Sequence, residues 1–324
     1  MAQYSSKDVG FILVDGYSLL GTVTTVQDNV EAILQETTVL GDSWVKFASA
    51  GIRKGALTQN GFYNDAAGSA NAALVGSTGA ARVFTYCLEG NVIGRTFVGF
   101  SGPIQAKYER TAQLEKLHTA NAVYTPSGPI EEGQVLHAHT AETAASGDTR
   151  LSSVDNTTVR QPVMVIVSNT AVAATVVTTS GPHGLANTDK VFISGSNCTP
   201  TIDGERIVTV TGPTTFTVPV TVTIAGTAGS YVRCNTTNGG SAYVECSALV
   251  LGGYTNVALK VQHSLDNSAW VDLATFTVIT AAPAAQRVVV ASGTLVNRYL
   301  DATWAFTGAG SGMSVTFMTG FSRA

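Results

Sequence analysis

The sequence predicts a mainly β protein: antiparallel β-sandwich domains with one short helix and an extended arm, plus an inserted all-β module. Three observations point there. Apolar and polar residues alternate with a period of two through most segments, and β-branched residues fill those runs. Gly, Asn, Asp or Ser turns separate the runs. Helix signals are few. Charged residues are only 12% of the 324, against about 25% in an ordinary domain. No apolar run approaches the roughly 20 residues that cross a bilayer as a helix. Low charge without a membrane span suggests that other subunits cover much of the surface, because interface cores are depleted in charge. A neutral Thr/Ser/Gly surface would lower the count equally.

The chain opens with MAQYSSKDVGFILVDGYSLLG, a four-residue apolar burst followed by Asp15, which lacks the apolar stretch of a secretory signal. NDAAGSANAALV offers Asn64 or Asp65 as a helix N-cap before an Ala-rich body. ERTAQLEKLHTANA reads as a helix carrying Leu114 and Leu117 or, with its Thr residues, equally as a strand. From Gln161 to Cys234 the composition turns to Val, Thr, Ser and Gly, an all-β module of about 70 residues between polar flanks. A polar surface loop is where a guest domain is cheapest to insert. The expected division is therefore 1–125, then 126–160 with 235–324 as a second sandwich, and 161–234 as the insert.

The C-terminal third alternates most cleanly. Val257, Leu259 and Val261 share one face of a strand. After the turn, Val271 and Leu273 lie opposite Trp270 and Phe276, so both faces read as covered. Leu300, Ala302, Trp304 and Phe306 point inward in RYLDATWAFTG, as do Met313, Val315 and Phe317 in MSVTFMT.

Reactive motifs are sparse. His137 and His139 share a strand face, which suits a metal, and Glu131, Glu132 and Glu142 are near in sequence. With no third His or Cys nearby, ordinary strand histidines are the favoured reading. His263, Asp266 and Asp272 surround a hairpin without a nucleophile. Ser-Gly pairs occur, none as G-x-S-x-G, and GAGSG lacks the Lys of a phosphate-cradling loop. Trp270 and Trp304 suggest a sugar-stacking platform, yet the alternation buries Trp304, so core packing is preferred. Cys87, Cys198, Cys234 and Cys246 show no metal spacing; free buried thiols are expected, although Cys198 and Cys234 fall in one module. The expectation is a non-enzyme with no catalytic, cofactor or metal site. The net charge of −4 leaves no basic stripe for nucleic acid.

Seven stretches, in order, carry a family resemblance: TTVQDNVEAILQETTVLGDSWVKF, GIRKGALTQNGFYNDAAGSAN, GRTFVGFSGPI, VLHAHTAETAASGD, PHGLANTDKVFISG, VALKVQHSLDNSAWVDLATF and VNRYLDATW. Together they resemble major tail tube proteins of long-tailed (siphovirus-type) bacteriophages, and the fifth resembles a small β-module found on phage virion proteins. The resemblance implies two packed antiparallel sheets with a flanking helix and an arm. It implies self-assembly in the host cytoplasm into stacked rings whose inner strands close a β-barrel bore, within the virion. Implied partners are other copies, the tape measure, tail tip and terminator proteins, and double-stranded DNA passing the bore without specific binding. A host-surface glycan on the outward insert is a further implied partner. Glu31, Glu36, Asp42, Glu109 and Glu115 are candidates for bore or ring contacts. If both sandwiches were tube domains, three chains would make a ring, which is the reading preferred; if only the first is, six would. The alternatives are a capsid decoration or tail tip or fibre protein, and a glycan-binding adhesive sandwich.

Overall fold

The structure, a computed structural model, describes residues 9–37, 44, 47–65, 70–75, 78–79, 81–100, 102–155, 164–234, 238–264 and 267–324. The chain runs β1 (Phe11–Val14), β2 (Tyr17–Ser18), β3 (Val23–Glu36), β4 (Phe47–Phe62), α1 (Ala70–Leu74), β5 (Phe84–Cys87), β6 (Thr96–Phe100), β7 (Pro103–Thr111), β8 (Thr119–Pro126) and β9 (Ile130–Glu142). Then come β10 (Ser146–Asp148), a 3-10 turn Arg150–Ser152 and β11 (Val154–Asp155). Seven strands follow: β12 (Met164–Asn169), β13 (Val176–Thr179), β14 (Lys190–Ser194), β15 (Gly204–Ile207), β16 (Thr209–Gly212), β17 (Thr215–Thr217) and β18 (Ser230–Cys234). The chain ends with β19 (Asn238–Val250), β20 (Asn256–Ser264), β21 (Trp270–Thr275), β22 (Ala284–Leu295), β23 (Tyr299–Thr307) and β24 (Ser314–Arg323). The protein is mainly β, as its alternation predicts.

One eight-stranded antiparallel sheet, ordered β2-β1-β5-β6-β9-β24-β19-β22, backs both halves. β9 is its hinge strand: residues 130–134 pair with β6 and residues 134–142 with β24. Strands from 1–125 and from 126–160 plus 235–324 are thus hydrogen-bonded into one sheet. Two smaller sheets pack on it. The four-stranded sheet β3-β4-β8-β7 closes a core with Ile12, Val14, Phe84, Tyr86 and Phe100 below and Leu57, Ala122 and Tyr124 above. The sheet β10-β23-β20-β21, with β11 beside β23, closes a second core in which Leu136, Val244 and Phe317 meet Leu259, Leu300 and Trp304. A seven-stranded sheet formed by β12–β18 lies wholly within 161–234 and has its own core around Ile166, Val191, Ile193, Phe216 and Tyr231.

The structure follows the alternation through most of the C-terminal third. Val257, Leu259 and Val261 are buried, as are Leu300, Ala302, Trp304 and Phe306. Val315 and Phe317 are buried as well, and Met313 packs on the same core. In β21 only one face is covered: Ala274 and Phe276 turn inward and Val271 is 59% exposed, while Leu273, which the register skips opposite the Val261–Gln262 step, packs partly on the same core. Residues 109–122 are no helix: β7 ends at Thr111 and β8 begins at Thr119. The helix that does form, α1, spans five residues of NDAAGSANAALV and buries Ala73 and Leu74; residues 66–69, between the two proposed caps and the helix, lie outside the described residues.

The eight-stranded sheet curls until its far end comes back over β19. In that curl Glu245 is fully buried, accepting hydrogen bonds from the Gly16 amide and, at 3.3 Å, from the Thr85 hydroxyl. Burial pushes the Glu245 carboxyl well above the usual range, and the nearby Asp15 adds to the shift. An acid whose folded pKa is raised holds its proton while the unfolded chain releases one, so stability is lost as pH climbs through the ordinary carboxylate range and above. Glu245→Gln, which mimics the protonated acid, is expected to raise the melting temperature at pH 8 by about 2–4 °C. At pH 4 it is expected to change nothing; thermal melts at the two pH values check the difference.

Candidate functional site

The four-stranded sheet stands out because only one of its faces is used by the core. β3 and β4 run for 14 and 16 residues, far beyond the core they cover, and form the extended arm. Cross-strand register sets which side chains share a face. Val26, Leu57, Gln59, Ala120, Ala122, Tyr124 and Gln105 turn toward the core. The other face presents Gln27, Thr58, Val123 and Lys107 in one cross-strand row, and Thr25, Asn60, Asn121 and Glu109 in the next. Glu31 and Lys54 face each other further along the arm.

This open face is polar and electrically balanced. Lys54 Nζ lies 2.9 Å from Glu31 Oε2, and Lys107 Nζ lies 2.6 Å from Glu109 Oε1. Asn29 Nδ2 donates to Glu31 Oε1 at 2.7 Å. The Lys54 ammonium, then the Asn29 amide, hold the Glu31 carboxyl below its usual value. Between the pairs lie hydroxyls and amides. A polyanion sliding over such a surface meets no run of unpaired cations to hold it.

Both lateral edges are open along much of their length. Among the described residues β3 bonds only to β4. The outer edge of β7 is met at its start by Gly79, Ala81 and Arg82, with the Gly79 amide 2.8 Å from the Gln105 carbonyl and the Arg82 amide 2.7 Å from that of Pro103. Beyond Gln105 it leaves main-chain donors and acceptors without a partner strand among the described residues. Long exposed edges invite pairing with another chain. β7 carries a bulge at Ala106, which the register with β8 skips between Gln105 and Lys107.

The acidic candidates separate accordingly. Glu31 and Glu109 lie on the open face, Glu36 is exposed at the far end of β3, Glu115 sits in the β7–β8 turn with φ 61°, and Asp42 lies outside the described residues. Sequence gives no hint of the Glu31–Lys54 pairing, because it depends on hairpin register across 23 positions. Asp28, on the same strand, turns the other way and accepts from the Tyr86 hydroxyl at 2.6 Å.

The histidines diverge. His137 is buried, stacked on Phe317 at 3.9 Å and edge-on to Trp304 at 5.3 Å, with Nε2 3.2 Å from Glu142 Oε1. His139 Nε2 meets the Ser247 hydroxyl at 2.8 Å. Burial lowers both imidazole pKa values. Among the described residues, no three His, Cys, Asp or Glu side chains gather as a metal site. Glu131 accepts from the Arg287 guanidinium, with Nη2 to Oε1 at 2.6 Å, and from Tyr243 and Ser241. His263 Nδ1 accepts from the Asn297 amide at 3.1 Å, Asp272 pairs with Lys260 at 2.7 Å, and Asp266 lies outside the described residues. Trp270 lies beneath the Arg150 guanidinium at 5.7 Å, while Trp304 is core. Cys87, Cys198 and Cys246 are free and buried, and burial pushes the Cys246 thiol up to about 11.

No family model matches the sequence, and no curated protein matches it. Among solved structures, a chain from the virion of a native gene transfer agent particle is 16% identical, with a TM-score of 0.32 over 40% of this chain and 98% of that one. A chain from the tail of an empty particle of the same kind, with C6 symmetry, is 14% identical, with a TM-score of 0.31 over 40% and 97%. The SPP1 Dit protein, described as a hub adsorption apparatus of phages that infect Gram-positive hosts, is 7% identical, with a TM-score of 0.30 over 97% and 98%. Likeness this distant carries no argument about fold or role.

The balance of the open face is directly testable. Replacing Glu31 and Glu109 together by Lys strips both lysines of their partners and shifts the net charge by +4, with two negative charges lost and two positive charges gained. The variant is expected to bind double-stranded DNA at low salt, with affinity falling steeply as salt rises. The parent chain is expected not to bind; fluorescence anisotropy with a labelled duplex measures both.

Proposed function

We propose that this chain is the repeating structural subunit of a bacteriophage tail tube, without catalytic activity. The observation that carries this reading is the four-stranded sheet: among the described residues its β3 edge is unpaired and its β7 edge is unpaired beyond Gln105, and its open face is a charge-balanced surface of hydroxyls and amides. Edge β3 of one copy pairs with edge β7 of the next, and the sheets close into a barrel that removes every open edge. The open face becomes the bore. Double-stranded DNA passes over it without specific binding, and further rings stack to lengthen the tube.

Barrel geometry selects the number of copies. Strands about 4.8 Å apart and tilted about 40° give twelve strands a diameter of about 24 Å, or about 14 Å once side chains line the bore. Twenty-four strands give about 48 Å, or about 38 Å clear by the same reckoning. A duplex roughly 20 Å across needs the second. Three chains would reach twenty-four strands only if the second small sheet also lined the bore, but it ends in β10, three residues long, and β21, six residues long. One sheet per chain thus offers long edges, and we favour six copies per ring over three. Residues 1–125 then supply the bore sheet, 126–160 with 235–324 form a backing sandwich, and 161–234 faces outward, where a host glycan is a fitting ligand. Tape measure, terminator and tip proteins are the expected further partners, and the virion the expected location.

Negative-stain electron microscopy of the concentrated protein is expected to show rings or tubes with six-fold end views. Monomers at every concentration, or a protein that coats capsids and never stacks, would remove the tube reading. Ala106→Pro provides the matching variant. Its backbone position is already unpaired with β8, so the fold should tolerate proline, while the outer edge loses its ability to add a strand. The variant is expected to keep the parent circular dichroism spectrum and to sediment as a monomer.

A further inference from the structure

β14 of the insert alternates: Val191 and Ile193 are buried in the insert's own core, whereas Phe192 points out of it and is only partly covered. An aromatic facing away from its module's core needs a partner. Its partner is Arg298 of the host sandwich, whose guanidinium carbon lies 3.8 Å from the Phe192 ring centroid and 4.6 Å from that of Tyr299. The same guanidinium donates to both oxygens of Asp155, at 2.7 and 2.6 Å, at the end of the last strand before the insert. Arg298 is only 5% exposed. Planar stacking together with a bidentate carboxylate is a combination open to Arg and closed to Lys.

The turn that presents Arg298 is itself held. Arg323, on the last strand of the eight-stranded sheet, donates to the carbonyls of Val296, Asn297 and Arg298 at 3.2, 2.7 and 3.0 Å. The Asn297 amide is taken by His263 of β20 at 3.1 Å. Hydrogen bonds and stacking therefore run from the eight-stranded sheet, through residues 296–298, to the surface of the insert. A merely tethered module would not need such a chain of contacts.

We propose that Arg298 is a docking latch that seats the insert in one fixed pose on the host sandwich, with Phe192 as the insert's docking residue and Asp155 as the group that orients the guanidinium. The insert is then a rigid part of the subunit. Any face it presents is repeated at a constant angle wherever the subunit is repeated. The latch lies within one chain, so it stands or falls apart from the tube reading.

The test is a distance distribution between nitroxide amino acids at two exposed positions, Thr227 in the insert and Thr280 in the host sandwich. It is read by pulsed dipolar spectroscopy on labelled full-length chain diluted into unlabelled chain, so that only intramolecular distances contribute in monomer or ring. The parent is expected to give one narrow peak. Phe192→Ala, which leaves the insert's core untouched, and Arg298→Ala are each expected to broaden it about twofold or more. Arg150→Ala, at an arginine of the 3-10 turn beside the same host sheet that contacts Trp270 and Gln262, is expected to keep it narrow. A broad distribution in the parent, or a peak unchanged by Phe192→Ala and Arg298→Ala, overturns the latch.

Discussion

The double pairing of β9 is the constraint on which the architecture rests. One half of the strand bonds to β6 and the other to β24, so the N-terminal and C-terminal strands share a single sheet. The two smaller sheets then have no independent orientation: each packs on its own stretch of one curled wall. The curl is possible because the inner face leaves room for two large rings. A Cβ at Gly99 would lie 2.7 Å from the Tyr243 ring, and a Cβ at Gly133 or Gly320 would lie 2.5 or 2.4 Å from Phe97. Phe97 and Tyr243 fill that space edge to face at 5.5 Å.

Polar groups inside and beside the curl fix it further, because an unsatisfied buried group is costly wherever it sits. Tyr243 and Ser241 on β19, Arg287 on β22 and Glu131 on β9 form one network across the sheet. Glu131 reaches it from the part of β9 that pairs with β6, so the network ties the N-terminal half of the sheet to β19 and β22. Glu245 does the same on the inside, meeting Gly16 of the β1–β2 turn and Thr85 of β5. The four-stranded sheet inherits its position from this wall through Phe84, Tyr86 and Phe100 below Tyr124.

Much of this was legible in the sequence wherever one face of a strand meets a core. β20 and β23 follow their alternation residue by residue, and the all-β character of 164–234 shows in its Val, Thr and Gly content. What was not legible depends on partners far away. The bulge at Leu273 depends on pairing with β20, and nothing in DNSAWVDLATF marks it. ERTAQLEKLHTANA has helix formers enough to suggest a helix, but its flanks are recruited by β4 and by one another, so pairing overrides propensity. The open face could not be composed from sequence at all. Glu31 and Asp28 are equally acidic and three residues apart; only register sends one outward to Lys54 and the other inward to Tyr86. Phe192 has no feature in its local sequence that marks a docking role; what sets it apart is that Val191 and Ile193 on the other face of β14 are core and it is not.

The sparse ionic content can be read in the same terms. Two explanations were open: surfaces hidden by neighbouring copies, or surfaces that are polar without being charged. The four-stranded sheet combines them. Its edges have main-chain groups that a second copy would satisfy, while its open face is built from Thr, Asn and Gln, with each Lys held against a Glu. Elsewhere charges are spent on geometry: Arg82 on Asp15, Arg287 on Glu131, Arg298 on Asp155 and Arg233 on Asp189 each join separate segments of the chain. Charge that is paired to position strands cannot also attract a polyanion. A chain with few ionic groups, most of the described ones engaged locally, thus keeps its long four-stranded sheet free of any run of unpaired charge among the described residues.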